Sequence, residues 1–479
     1  MRAAKPGGGR LSRSRRGGLV AGLAAGVVLT SAALGSCGAT SSTAAASAAG
    51  FGGRIKHVVV IYQENHSFDE TLGKLCQDLH GRCDGYTGPV HLTGGKVVAM
   101  RQSPDIVPNV WHNVLAQETA MDHGAMNGWG QVSGCHPKMY RCLTYYTPAQ
   151  IPNLAALATH FVVSDRTFSM RDSPSWGGHV YAAAATQDDF TGDLPIPARG
   201  VTPRKGWGCD SDRVTRWRDP KTHRVTLEPS CIPARPGKLN PHAFPFNGAF
   251  RATRAAYVPT IFDRLDARHQ SWKLYSTAYV WSICPSFAEC RYTAQRHRVV
   301  TTANILSDAR AGRLPAFSIL LPNGPGGGTS QHNNTSMRVG DNWIGQAVNA
   351  LMHSPDWSST AVFITYDDCG CFYDHVRPGR NPDGTIQGIR VPMVIVSPYA
   401  RRGYTDSHPA TFASILRFTE EALGLQSLGE NDGRAYDYRA AFNFTAPATG
   451  ARVTLRQHPV SAATKAYLEA HPPSADDPT

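Results

Sequence analysis

The sequence predicts an α/β fold with a mainly parallel central sheet sandwiched by helices, and two observations carry that prediction. First, two β-branched apolar runs end abruptly in acidic and amide side chains: Val58-Val59-Val60-Ile61-Tyr62-Gln63-Glu64-Asn65 and Ala361-Val362-Phe363-Ile364-Thr365-Tyr366-Asp367-Asp368. Unbroken apolar runs of this length, bounded by polar residues, read as buried parallel strands. Second, strand-like and helix-like segments alternate along most of the chain, the pattern of a sheet covered by crossover helices.

Taken in order, residues 57–62 form the first strand, followed by loops and short helices from 68 to 149. Residues 153–160 read as a helix and 161–164 as a short strand. Residues 175–185 begin with turn residues and become helical. Residues 195–250 are rich in Pro, Arg, Gly and Trp and show no clear period, so they are expected to form an inserted, loop-rich cap. A helix at 260–267 and strands at 271–275 and 317–321 come next. The glycines at 324–328 are not a P-loop, because no Gly-Lys-Ser/Thr follows. An amphipathic helix spans 341–353, an apolar run spans 391–397, and a helix spans 411–423. Residues 450–479 read as a polar, Pro-bearing tail.

In open α/β sheets, ligands bind beyond the carboxyl ends of the strands. Four oxygen-bearing side chains at two such ends point to a hard-metal or phosphate site, and hence to an enzyme.

The N-terminus reads as a targeting segment. A basic stretch to Arg16 precedes a small-apolar run over 17–34, closed by Leu34-Gly35-Ser36-Cys37. Residues 1–37 therefore look like a lipoprotein-type signal, with Cys37 lipidated and holding the protein at a membrane. A plain secretory signal with a chance cysteine is the alternative. Residues 38–53 read as a flexible tether, and 54–449 as the catalytic domain.

Half of the formal charge of +12 sits in the leader, on Arg2, Lys5, Arg10, Arg13, Arg15 and Arg16. The mild positive balance left over suits anionic substrates or a membrane surface. No basic run is long enough to argue for nucleic acid.

Of 11 cysteines, the ten beyond Cys37 fall into five close sequential couples, which suggests local disulfides in an oxidising compartment. The CxxC pairs of a zinc ribbon are missing. Cys369-Gly370-Cys371 directly follows Asp367-Asp368. Both of these cysteines are expected to be oxidised, either to each other in a small strained ring or to separate partners.

Several segments together resemble one bacterial family. They are 55–69 (Ile-Lys-His-Val-Val-Val-Ile-Tyr-Gln-Glu-Asn-His-Ser-Phe-Asp), Ser173-Pro174-Ser175-Trp176, Asp341-Asn342-Trp343, Thr365-Tyr366-Asp367-Asp368, Phe372-Tyr373-Asp374-His375-Val376, Arg390-Val391-Pro392 and Ser397-Pro398. Their order is similar to the phosphoesterase family of phosphatidylcholine-type phospholipases C and certain acid phosphatases, within the alkaline-phosphatase-like superfamily. The resemblance covers roughly residues 54–447.

It implies an alkaline-phosphatase-like fold and a divalent metal ion held by Glu64, Asn65, Ser175, Asp367 and Asp368. Oxygen donors suit a hard cation, though zinc also accepts carboxylates. Adjacent aspartates stay ionised together only when a cation screens them.

The resemblance also implies that Ser175 is the nucleophile, activated by the metal and placed where a helix start favours phosphoryl oxygens. His112 and His332 would bind the phosphate or protonate the leaving oxygen, and His375 would act at one remove. Three departures stand out. Gly177-Gly178 replaces the usual Pro-Asn, and Cys-Gly-Cys is unusual after the paired aspartates. Phe412 stands where relatives often carry His, so one metal rather than two is expected unless His408 substitutes.

The expected activity is hydrolysis of phosphate esters, including phospholipids, through a phosphoserine by an exported, lipid-anchored or secreted enzyme. A non-catalytic surface lipoprotein using the same fold as a binding module is the alternative.

Overall fold

The computed structural model describes residues 51, 53–135, 138–239, 253–323, 328–445 and 452–472. The signal read over 1–37, with its Cys37, and most of the tether lie outside these residues, as does most of the glycine-rich loop.

Eight strands form the central sheet: β1 His57–Gln63, β2 Val162–Ser164, β3 Trp272–Tyr275, β4 Val299–Val300, β5 Phe317–Leu320, β6 Thr360–Tyr366, β7 Met393–Val396 and β8 Tyr404–Asp406. Across the sheet they run β4-β3-β5-β1-β6-β7-β2-β8. Every pairing is parallel except the two made by β7. All of β6 and all of β1 after His57 are buried, as layers on both faces of a sheet require. The expected mainly parallel α/β architecture is therefore present.

The register places the site. β1 and β6 are neighbours, with Gln63 opposite Tyr366. The residues that follow, Glu64-Asn65 and Asp367-Asp368, thus leave the same edge of the sheet side by side.

Five helices matter to the argument: α1 Val114–Met121, α2 Pro152–His160, α3 Ser175–Ala184, α4 Met337–Met352 and α5 Phe412–Leu423. α4 begins four residues before the expected start, because Ser336 caps it by accepting the Val339 N–H. Asp341, inside α4, accepts the backbone N–H groups of Asn153 and Leu154 at 3.0 and 2.8 Å and so secures the start of α2. α5 opens on a capping box between Thr411 and Ser414 and stops at Gly424, whose φ is 65°.

Three sequence expectations change. Residues 196–229 hold a three-stranded antiparallel sheet of Ile196–Pro197, Arg213–Arg218 and Val225–Pro229. Its strands are short, and Arg213, Arg216 and Arg218 interrupt the middle one, which hides the alternation. The tail includes a helix at Ala462–Ala470, and the Arg456 N–H donates to Asn153 at 3.0 Å, so this stretch packs on the domain. At the other end, Phe51 is fully buried against the rings of Phe418 and Phe444.

Disulfides join four of the five couples: Cys76–Cys83, Cys135–Cys142, Cys209–Cys231 and Cys284–Cys290. The fifth expectation fails: Cys369 and Cys371 are buried free thiols. The turn between them serves the carboxylate instead. The Gly370 N–H donates to Asp368 Oδ1 at 2.7 Å, and Gly370 and Cys371 are both left-handed, at φ 57° and 53°. A Cβ on Gly370 would lie 2.3 Å from the Asn65 carbonyl oxygen, so only glycine fits this approach.

Candidate active site

The β1 and β6 ends bring Glu64, Asn65, Asp367 and Asp368 together. Asn65 is left-handed at φ 57°, a conformation Asn tolerates better than most residues. That turn aims its backbone N–H at Asp367 Oδ1, 3.1 Å away, and the same oxygen accepts the Asp368 N–H at 2.9 Å.

Ser175 is the first residue of α3, which follows the extended Pro174. Its Oγ sits 3.4 Å from both Glu64 Oε2 and Asn65 Oδ1. The open N–H groups and positive dipole of a ten-residue helix point into this corner. Gly178 makes the approach possible: a Cβ there would come within 2.9 Å of the Asp367 carbonyl oxygen.

His112 and His332 pack edge to face, with ring centres 5.8 Å apart. His112 Nδ1 lies 3.0 Å from the Val110 carbonyl and its Nε2 lies 3.2 Å from the Asn65 amide nitrogen. His332 Nδ1 lies 3.2 Å from the Asn333 carbonyl. Burial pushes His332 down to about 3, so its ring is neutral at neutral pH.

The residues fit a divalent cation. Burial, reinforced by the charges of Asp367 and Asp368, holds the Glu64 carboxyl well above the usual carboxylate range. Burial and Asp367 do the same to Asp368. Carboxylates crowded in this way need positive charge to stay ionised.

One residue brought into the site was missed by the sequence reading. His179 lies one helical turn beyond Ser175, its Nε2 3.8 Å from Glu64 Oε1. Burial pushes its pKa down to about 4, opposed by the charge of Asp367 and by the Trp281 backbone. The i, i+4 spacing from Ser175 was the available signal.

Two candidates fall elsewhere. His408 is bound to Asp406 at 2.7 Å and stacks on Tyr436, while Phe412 packs edge-on against Tyr62. His375 bonds Asp69 at 2.6 Å within a buried group that includes Asp374. Arg390 already neutralises that group, with contacts of 3.0 Å to Asp69 and 3.1 Å to Asp374.

The phosphoesterase family model matches residues 55–426, more than three quarters of the sequence. The chain belongs to the phosphoesterase family. Similar family members include non-specific phospholipase C1 of Arabidopsis thaliana, 23% identical over 74% of this chain and 63% of the relative. Non-hemolytic phospholipase C of Pseudomonas aeruginosa is 25% identical over 82% of this chain and 58% of the relative. Phospholipase C A of Mycobacterium tuberculosis is 29% identical over 85% of this chain and 80% of the relative. The chain thus spans about three fifths of the length of the first two. Among solved structures, a protein in the alkaline phosphatase superfamily from Vibrio parahaemolyticus aligns over 80% of this chain and 70% of its own, at 13% identity and a TM-score of 0.35. At that score the likeness adds nothing to the strand order, which carries the fold assignment by itself.

Proposed function

We propose that this chain is a metal-dependent phosphoesterase that cleaves phosphate esters, phospholipids among them, through a phosphoserine on Ser175. The observation that carries the reading is the Ser175 hydroxyl at the first position of α3, 3.4 Å from Glu64 and from Asn65, beside the paired aspartates. Glu64, Asn65, Ser175, Asp367 and Asp368 would hold the cation. Bound there, it would supply Lewis acidity that favours the serine alkoxide and offsets phosphoryl charge.

Ser175 Oγ gives up its proton and attacks phosphorus, so the Oγ–P bond forms as the P–O bond to the leaving alcohol breaks. The neutral ring of His332 would take the serine proton and return it to the leaving oxygen, with His112 beside the phosphate. The helix start holds the phosphoryl oxygens. Water then attacks the phosphoserine, and Ser175 recovers its hydroxyl.

Export fits the four disulfides. Among the described residues no helix is long and apolar enough to cross a membrane; the membrane link proposed is a lipidated Cys37, read from Leu34-Gly35-Ser36-Cys37.

The test is a panel of phosphomonoesters, phosphodiesters and phospholipids, run on the wild type and on Ser175→Ala. Ser175→Ala should keep its melting temperature and lose several orders of magnitude in turnover. Near-normal turnover by a folded Ser175→Ala protein would remove the nucleophile assignment. No hydrolysis of any ester by the metal-loaded wild type would favour the binding-module alternative.

A further inference from the structure

The imidazole of His179 is 3% exposed, and apart from an approach to the Trp281 backbone its nitrogens meet no hydrogen-bond partner. Buried polar atoms are almost always satisfied, so a ring nitrogen left over here calls for a partner that the polypeptide does not provide. The ring is held by aromatic neighbours instead. Trp207 meets it edge to face at 5.1 Å between ring centres, and Tyr62 lies at 5.5 Å.

The ring is aimed into the carboxylate cluster. Nε2 stands 3.8 Å from Glu64 Oε1, too far for a hydrogen bond. One ligand atom each from Glu64, His179 and Asp367 lie within 4.8 Å of one another. Two ligand atoms on one small cation, each about 2 Å from it, sit roughly 3–4 Å apart. The Glu64–His179 gap has that size.

The glycines before His179 belong to the same device. A Cβ on Gly178 would lie 2.9 Å from the Asp367 carbonyl oxygen and 3.1 Å from the Tyr62 hydroxyl, and a Cβ on Gly177 would collide with Ser173 Oγ at 1.8 Å. Gly178 lets the first turn of α3 press against the β6 end, which carries His179 into range, while Gly177 lets the same turn close on Ser173.

We propose that His179 is a nitrogen ligand of the cation at this site, turning an oxygen-only donor set into a mixed one that selects a zinc-like transition-metal ion over magnesium or calcium. Imidazole favours the later divalent metals, whereas carboxylate and carbonyl donors alone suit magnesium and calcium. The inference rests on the reading that Glu64, Asp367 and Asp368 bind a divalent cation.

The experiment uses the full chain, stripped of metal and reloaded with one equivalent of Cu2+ for pulsed electron paramagnetic resonance. A coordinated imidazole imprints nitrogen modulation on the echo, whether or not the copper form turns over substrate. The wild type should show that modulation, His112→Gln and His332→Gln should keep it, and His179→Gln should lose it. In parallel titrations His179→Gln should bind Zn2+ at least about tenfold more weakly, with Mg2+ binding little changed. Copper bound without nitrogen modulation in the wild type would overturn the proposal even if His179→Gln failed to fold. Modulation that survives in a folded His179→Gln protein would overturn it too. Failure of the stripped wild type to bind any divalent cation would be a different result, ending the metal-dependent reading along with the His179 assignment.

Discussion

His112 Nε2 lies 3.2 Å from the side-chain nitrogen of Asn65, and this contact decides which way Asn65 points. His112 Nδ1 sits 3.0 Å from the Val110 carbonyl, so the ring proton belongs there and Nε2 is left as an acceptor. Asn65 must offer it an N–H, which turns the amide oxygen toward Ser175 and the paired aspartates. Swapping the amide would put its nitrogen 2.9 Å from Asp367 Oδ1 and its oxygen 3.1 Å from His332 Nε2. That arrangement needs an Nε2–H on both rings, whereas the Val110 and Asn333 carbonyls stand at the two Nδ1 atoms and draw the proton of a neutral ring there. Oxygen facing oxygen is comfortable only around a cation, so a ring 47 residues away fixes Asn65 as an oxygen donor.

Metal content should follow these geometries. Glu64→Gln and Asp367→Asn each remove a charge from the cluster, and elemental analysis after dialysis should find occupancy and activity falling together. His112→Ala touches no carboxylate yet frees the Asn65 amide to turn, so metal affinity should drop by about 10–100-fold, the usual cost of losing an orienting partner. Full occupancy in Glu64→Gln and Asp367→Asn would remove those residues from the ligand set.

The thiols give a second check. Cys369 and Cys371 should both alkylate once the protein is unfolded without reductant, while the eight cysteines of Cys76–Cys83, Cys135–Cys142, Cys209–Cys231 and Cys284–Cys290 should not. Peptide mapping reads this directly. A Cys369–Cys371 bridge in the map would contradict the structure and restore the strained ring expected from spacing.

Arg390 holds the fold behind the site. Its guanidinium, fully buried, contacts Asp69 at 3.0 Å and Asp374 at 3.1 Å and donates to the Asp84 and Asp165 carbonyls at 2.8 Å. Arg390→Met strands two buried carboxylates and should cost about 3–5 kcal/mol in denaturant unfolding. A loss below about 1 kcal/mol would mean the network is hydrated rather than dry.

Glu420 makes a pH prediction. Burial, then the Asp432 carboxylate, lift its pKa from 4.5 to about 9. The folded state therefore binds more protons than the unfolded state between those values. This contribution is complete below 4.5 and is lost as pH rises toward 9. Glu420→Gln imitates the protonated acid at every pH. Its melting temperature relative to wild type should climb across that window, and a constant difference would refute the shift.

Parts of the site were legible because they are local. A β-branched run that stops at Glu64-Asn65 or Asp367-Asp368 announces a strand end without any tertiary information. Ser175 was legible only through the family pattern, since Pro-Ser before a helix also describes an ordinary cap. Pairing cysteines by proximity succeeded where spacing alone allows closure. It failed at Cys369 and Cys371, where the turn answers to Asp368. The sheet at 196–229 escaped because exposed arginines interrupt its period.

Sequence alone determined the long buried strands, the main helices and the chemical character of the strand ends, because periodicity, caps and abrupt polar stops act over a few residues. Only the tertiary structure decided that β1 and β6 are neighbours although some 300 residues separate them, that the ring of His179 faces Glu64, and that His112 sets the orientation of Asn65. Those relations depend on sheet order, on how closely glycines let α3 approach, and on which hydrogen bonds burial leaves unmade. All three are properties of packing between distant segments, which no local pattern encodes.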